Sequence, residues 1–177
     1  MSQKILGGIL LILGAVLIGV VVSMTLGPDG QAVIEGEHDG AYSGLDHDLA
    51  HQCLEDHSQV GAHFHPYLTI KIDGDEVLIP TNTGIATDEC DEMHFVHTHD
   101  DTGKLHVETP EPTEVKLGVF FQIWDVYFAE DGISTYRVND THEMVMSVDG
   151  VIVDSYDEHV LSDNQQILIE YVEKSQG

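Results

Sequence analysis

MHFVHTHDDTGKLHVETP, residues 93–110, reads as two strands joined by a tight turn. Met93 to His99 is strand-like, Asp100-Asp101-Thr102-Gly103 carries turn chemistry, and Lys104 to Thr109 returns. Pro110 and Pro112 end the pairing, because proline cannot donate to a ladder. Downstream, LGVFFQIWDVY at 117–127 places Leu117, Phe120, Phe121 and Trp124 on one face of a helix. Met144 to Val148, the Asp149-Gly150 turn, Val151 to Val153 and Gln166 to Val172 add a strand, a short strand and a strand. Ile167, Ile169 and Tyr171 fall on one face of the last of these.

That order places the chain in the α+β class, with a β-grasp-like sheet packed on one helix. A β-sandwich is the alternative if 117–127 is not helical. A further N-terminal hairpin, Tyr67 to Ile72 and Val77 to Pro80 about Asp73-Gly74, is expected to extend or flank the sheet.

The same hairpin carries the chemistry. His63-Phe64-His65 and His97-Thr98-His99 each put two imidazoles on one side of a strand. If His99 pairs with Lys104 across the turn, His97 stands opposite His106, at a β-carbon separation of about 4.5–5.5 Å. His97, His99 and His106 would then form a three-imidazole patch, the ligand type of catalytic zinc sites, and imidazole also suits copper. His63 and His65 join it only if the first hairpin packs beside the second. Asp100, Asp101 and Glu108 are candidates to orient the rings. Nearby carboxylates should raise the imidazole pKa values by favouring the charged form. His94 is out of register and should face away. Met93, Met144 and Met146 are copper ligands or, more simply, core. His47 and His51 in HDLAH lie four apart, but Asp replaces the glutamate of a HExxH zinc site, so solvated His is the simpler reading.

Charge and the N-terminus set the surroundings. The 177 residues carry 32 acidic side chains against 6 Lys plus Arg, a formal net charge of -26. Phosphate recognition needs clustered Lys and Arg, so nucleic acid is excluded as a partner. At 42% hydrophobic residues the chain is too apolar to be wholly disordered. Ile5 to Val22 is an unbroken run of apolar residues and Gly, long enough for a bilayer core of about 30 Å. No small-residue cleavage pattern follows it, so an uncleaved transmembrane anchor is expected over 1–26, with a cleaved signal peptide as the alternative. Lys4 before the run and acidic residues after it place the N-terminus in the cytoplasm and the remainder outside. The expected organisation is anchor 1–26, acidic linker and short helix 27–58, and a His-rich domain 59–177. Cys53 and Cys90, the only cysteines, are expected to form a disulfide in that compartment, with metal ligation as the competing use.

HFHPYLTIKIDG at 63–74, Cys90, HTHDDTGKLHVETP at 97–110 and LGVFFQIW at 117–124 resemble a widespread exported prokaryotic domain. The resemblance covers residues 53 to 125. It implies an exported or anchored location and puts His63, His65, His97, His99 and His106 on the shared motif, and it supplies no reaction. Three functions follow from the residues. One is a membrane-anchored extracytoplasmic domain binding copper or zinc. The second is a metal-dependent enzyme with a three-His site and Glu108 or Asp101 as base. The third is a structural cell-envelope module without metal. An envelope protein is the partner class such a location offers, and oligomeric state is not read from the sequence.

Overall fold

The computed structural model describes residues 25–26, 32–33 and 46–175. The expected anchor and most of the linker lie outside them. Thr25–Leu26 pairs antiparallel with Ala32–Val33, so the last described residues of the expected anchor are extended. Among the described residues no helix is long and apolar enough to cross a membrane.

Among the described residues the regular structure is mostly β, with one α-helix. β1 (Ala62–Phe64), β2 (Tyr67–Ile72), β3 (Asp75–Glu76), β4 (Val96–His97) and β5 (His106–Thr109) precede α1 (Leu117–Ile123). β6 (His142–Val148), β7 (Val151–Val153) and β8 (Gln166–Glu173) follow it. The larger sheet runs β7-β6-β8-β2-β3. Its centre is the parallel pair β8 and β2, and every other pairing in it is antiparallel. Both hairpins turn on Asp-Gly, with positive φ at Asp73, Gly74, Asp149 and Gly150, the backbone that a right-twisted two-residue hairpin needs.

Hairpin, helix, hairpin and last strand thus combine as expected, but the first hairpin is 67–76. The 93–109 hairpin, expected in this sheet, belongs instead to a second, smaller one of order β1-β5-β4. Its first half is also broken: Met93–His94 pairs with Cys53–Leu54, while Val96–His97 pairs with β5. The helix is real and shorter than the periodicity suggests. Asp125, at φ 60°, takes the left-handed position, and the N–H groups of Asp125 and Val126 return to Gln122 O and Phe121 O. That double closure ends a helix whatever apolar residues follow.

One core lies between α1 and the larger sheet. Leu117, Phe120 and Phe121 pack with Ile70, Met146, Ile167 and Ile169, all buried. Met93, Met144 and Met146 are buried as well, so their role is packing.

The segment from Asp46 to 58 is part of the body, not the tail of a linker. Ala50 enters the main core, and Leu54 packs with Met93 and Phe95 in a smaller cluster. The expected helix there shrinks to one 3-10 turn, Asp48–His51. Cys53 is drawn into the strand pair with Met93–His94 and is disulfide-bonded to Cys90, with Cα atoms 5.5 Å apart. In the chain-entropy view, closing such a loop contributes roughly 4 kcal/mol. His47 lies over α1 at Gly118, where a β-carbon would sit 2.1 Å from His47 Nε2.

The two sheets meet at the turn after His99. Leu68 N–H donates to Gly103 O, Leu105 N–H to Pro66 O, and Tyr67 bridges Lys104. A β-carbon on Gly103, whose φ is +76°, would lie 2.1 Å from Leu68 O. Gly103→Ala should therefore cost roughly 2–4 kcal/mol in urea unfolding, combining backbone strain with a backbone clash. Gly150→Ala, at a similar φ with nothing within 4 Å of the added carbon, should cost only about 1–2 kcal/mol. Equal losses would show that the turn does not hold the two sheets together.

Candidate metal centre

The smaller sheet has two distinct faces. Phe64, Val107 and Val96 form a cross-strand row, by the pairings Phe64 with Val107 and Val107 with Val96. Val96 and Val107 are fully buried. The alternate residues form the opposite face. His97 pairs with His106, as the four-residue turn requires, and His63 pairs with Glu108. His65, one residue beyond β1, comes to the other flank of His106. One strand-period rule therefore puts His63, His65, His97, His99, His106 and Glu108 on the same side.

All five expected His are brought together, with His106 at the centre. Its Nδ1 lies 3.4 Å from His63 Nε2 and 3.2 Å from His65 Nε2. Its ring centroid is 5.4 Å from that of His97, nearly parallel, and 4.5 Å from that of His99, edge-on. Two groups of three ligand atoms, His63-His65-His106 and His97-His99-His106, each lie within 4.8 Å of one another, close enough to hold a metal ion. The cluster is half sunk: His63 and His99 are exposed, His65 and His106 are partly covered, and His97 is fully buried.

Supporting contacts fix the deepest ring. His97 Nδ1–H donates to His94 O at 3.0 Å, since a carbonyl can only accept. The tautomer is thereby set with the lone pair on Nε2, as a carbonyl partner commonly does for a metal-binding His. His94 itself turns away: its Nδ1–H donates to Ala50 O and its Nε2 accepts from the Thr87 hydroxyl.

Glu108 is the member whose role the sequence understates. It is 1% exposed, and its Oε1 lies 3.1 Å from His63 Nε2 and 3.9 Å from His106 Nδ1. The H-x-E spacing at 106–108 is the signal for it, because residues two apart on a strand share a face. Asp100 does not orient a ring; it accepts from the backbone N–H and the hydroxyl of Thr102 and caps its own turn. The pair in HDLAH separates: His51 contacts Asp46 and Glu89, while His47 lies with Asp157 and Glu158. In that third group Lys116 already neutralises Glu158.

Electrostatics correct one expectation. The sequence suggests raised imidazole pKa values, but His106 is pushed down to about 3. Burial is the main cause, followed by His65, His97, His99 and Lys104. His65 is also lowered, by burial first and then by Lys104 and His63, which outweigh Asp163 and Glu108. Burial first, and then the neighbouring rings and Lys104, disfavour protonation of His106 and His65 more than the few nearby carboxylates favour it.

Compared with protein-family models, curated proteins and solved structures, the chain matches none.

The unfolded chain takes up protons at His65 and His106 near pH 6.5, whereas in the folded chain His65 is lowered and His106 resists until about 3. Their contribution to stability should be complete above about pH 6.5 and be lost progressively as pH falls below it. Nitrogen-detected NMR of the metal-free protein should show His106 neutral at pH 5. A His106 midpoint at or above 6.5 would contradict the lowered value.

Proposed function

We propose that the chain is a membrane-anchored, extracytoplasmic domain that binds a transition metal, copper or zinc, through the clustered His. Capture, storage or handover of the ion requires no further chemistry. The observation that carries this reading is the approach of two imidazole nitrogens to one. A ring nitrogen has a single hydrogen or lone pair in the ring plane, so His106 Nδ1 makes one good hydrogen bond. Two partners, at 3.4 and 3.2 Å, are better served by a shared cation. With Zn–N bonds of about 2.0–2.1 Å, tetrahedral ligand nitrogens lie about 3.3–3.4 Å apart. Glu108 Oε1, 3.1 Å from His63 Nε2, is suited to be a fourth ligand.

The apolar run at 5–22 and the resemblance to exported domains support the anchored, external placement, and the Cys53–Cys90 disulfide fits an oxidising compartment. The order β7-β6-β8-β2-β3, with helix between hairpins, supports a β-grasp-like description of the fold.

Calorimetric titration of the full chain in detergent with Zn²⁺ or Cu²⁺ tests the metal reading. His106→Ala should weaken binding by at least about 100-fold, beyond the 10–100-fold typical of losing a ligand's supporting partner. His142→Ala should leave it unchanged, because His142 stacks on Tyr171 and faces Asp73, outside the cluster. Equal, weak binding by all three proteins would sink the proposal. On cell fractionation the full chain should sediment with membranes and resist extraction by carbonate; release as a soluble species beginning after about residue 27 would overturn the anchor.

A further inference from the structure

We propose that the cluster holds two transition-metal ions, bridged by the imidazole ring of His106. This rests on the metal-binding reading above and specifies what that site contains.

Strand placement carries the inference. β5 is the middle strand of the smaller sheet, so His106 has a neighbour on each side. His63 and His65 approach from the β1 side, and His97 and His99 from the β4 side. Each flank contributes a pair of rings that makes a group of three only by sharing His106. Imidazole has two ligand nitrogens, on opposite edges of one rigid ring. His63 Nε2 and His65 Nε2 both converge on Nδ1. The nitrogen this leaves is Nε2, and the remaining pair is His97, locked with its lone pair on Nε2, and His99.

The first site is then His63 Nε2, His65 Nε2, His106 Nδ1 and Glu108 Oε1. The second is His97 Nε2, His99, His106 Nε2 and an open position. Three neutral imidazoles and one carboxylate suit a borderline divalent ion at the first site, and three imidazoles with an open position suit zinc or copper at the second. Neutral His106 carries one N–H. Occupying both nitrogens breaks that N–H bond, its proton passes to solvent, and the electron pair left on the ring becomes the second metal–nitrogen bond. The two ions would sit about 6 Å apart, the sum of two metal–nitrogen bonds of about 2 Å and the width of the ring. Repulsion between them is offset by the imidazolate charge, by Glu108 and by the field of a chain whose formal net charge is -26.

The test is titration of the full chain, in detergent, with Cu²⁺ as the probe, read by calorimetric stoichiometry and by electron paramagnetic resonance. Two Cu²⁺ per chain are expected. The spectral intensity should rise with the first equivalent and fall with the second, because an imidazolate couples two copper spins antiferromagnetically. His99→Ala and the double variant His63→Ala/His65→Ala should each bind one Cu²⁺ with an uncoupled spectrum. The double variant removes the β1 flank and His99→Ala one of the two rings of the β4 flank, and both leave the buried His97 and the strand pairings in place. Two uncoupled ions, or one ion per chain in the wild type, would overturn the bridge while leaving the metal-binding function intact. No binding above buffer would overturn both.

Discussion

The parallel pairing of β8 with β2 is the constraint on which the rest depends. It joins the last strand of the chain to the first long one, and it places the His cluster as a by-product. Gln166 pairs with Tyr67, and Tyr67 N–H donates to Gln165 O. The residues leading into β8 also hold His65 directly: Asp163 accepts from its backbone N–H, and Asn164 N–H donates to its carbonyl. Pro66, which has no N–H to offer either sheet, marks the crossing from β1 to β2. A site built from residues 63 to 108 is therefore anchored by residues almost sixty positions further on.

Legibility in the sequence followed the range of the interaction. The cross-strand partners His97 and His106 were readable, because a four-residue turn fixes the register. So was the inward face of β8, since Ile167, Ile169 and Tyr171 obey a period of two. Which hairpin occupies the larger sheet was not readable, because 67–76 and 93–109 both carry sound turn signals. The decision lies in long-range pairing with β8, which leaves no local trace. The end of α1 was missed for a different reason. Asp125 takes a conformation usually given to glycine, so the stop signal is disguised as an ordinary polar residue. The pKa direction of His106 was missed because composition counts carboxylates over the whole chain, whereas His106 responds to its burial and to the four groups around it, His65, His97, His99 and Lys104.

Depth within the cluster grades its members. His97 is wholly enclosed and its tautomer is dictated by a backbone carbonyl, so its Nε2 is held in a fixed orientation. The carbonyl belongs to His94, whose own ring is tied to Ala50 O. Ala50 and Cys53 sit on the segment that the disulfide fastens to Cys90. The orientation of the deepest ring is thus linked to that crosslink through two hydrogen bonds and a short strand. His63 and His99 lie exposed at the rim.

Gly118 is the missing β-carbon of α1, and His47 fills the space it leaves. The helix surface therefore carries a mould of a residue seventy-one positions earlier. Drift at one position is tied to drift at the other: an alanine at 118 is compatible only with a smaller or displaced side chain at 47. Chains sharing the LGVFF motif can be sorted by that pair. Those that keep both residues should wrap the segment before the first cysteine over the helix, and those that have lost both should carry it elsewhere.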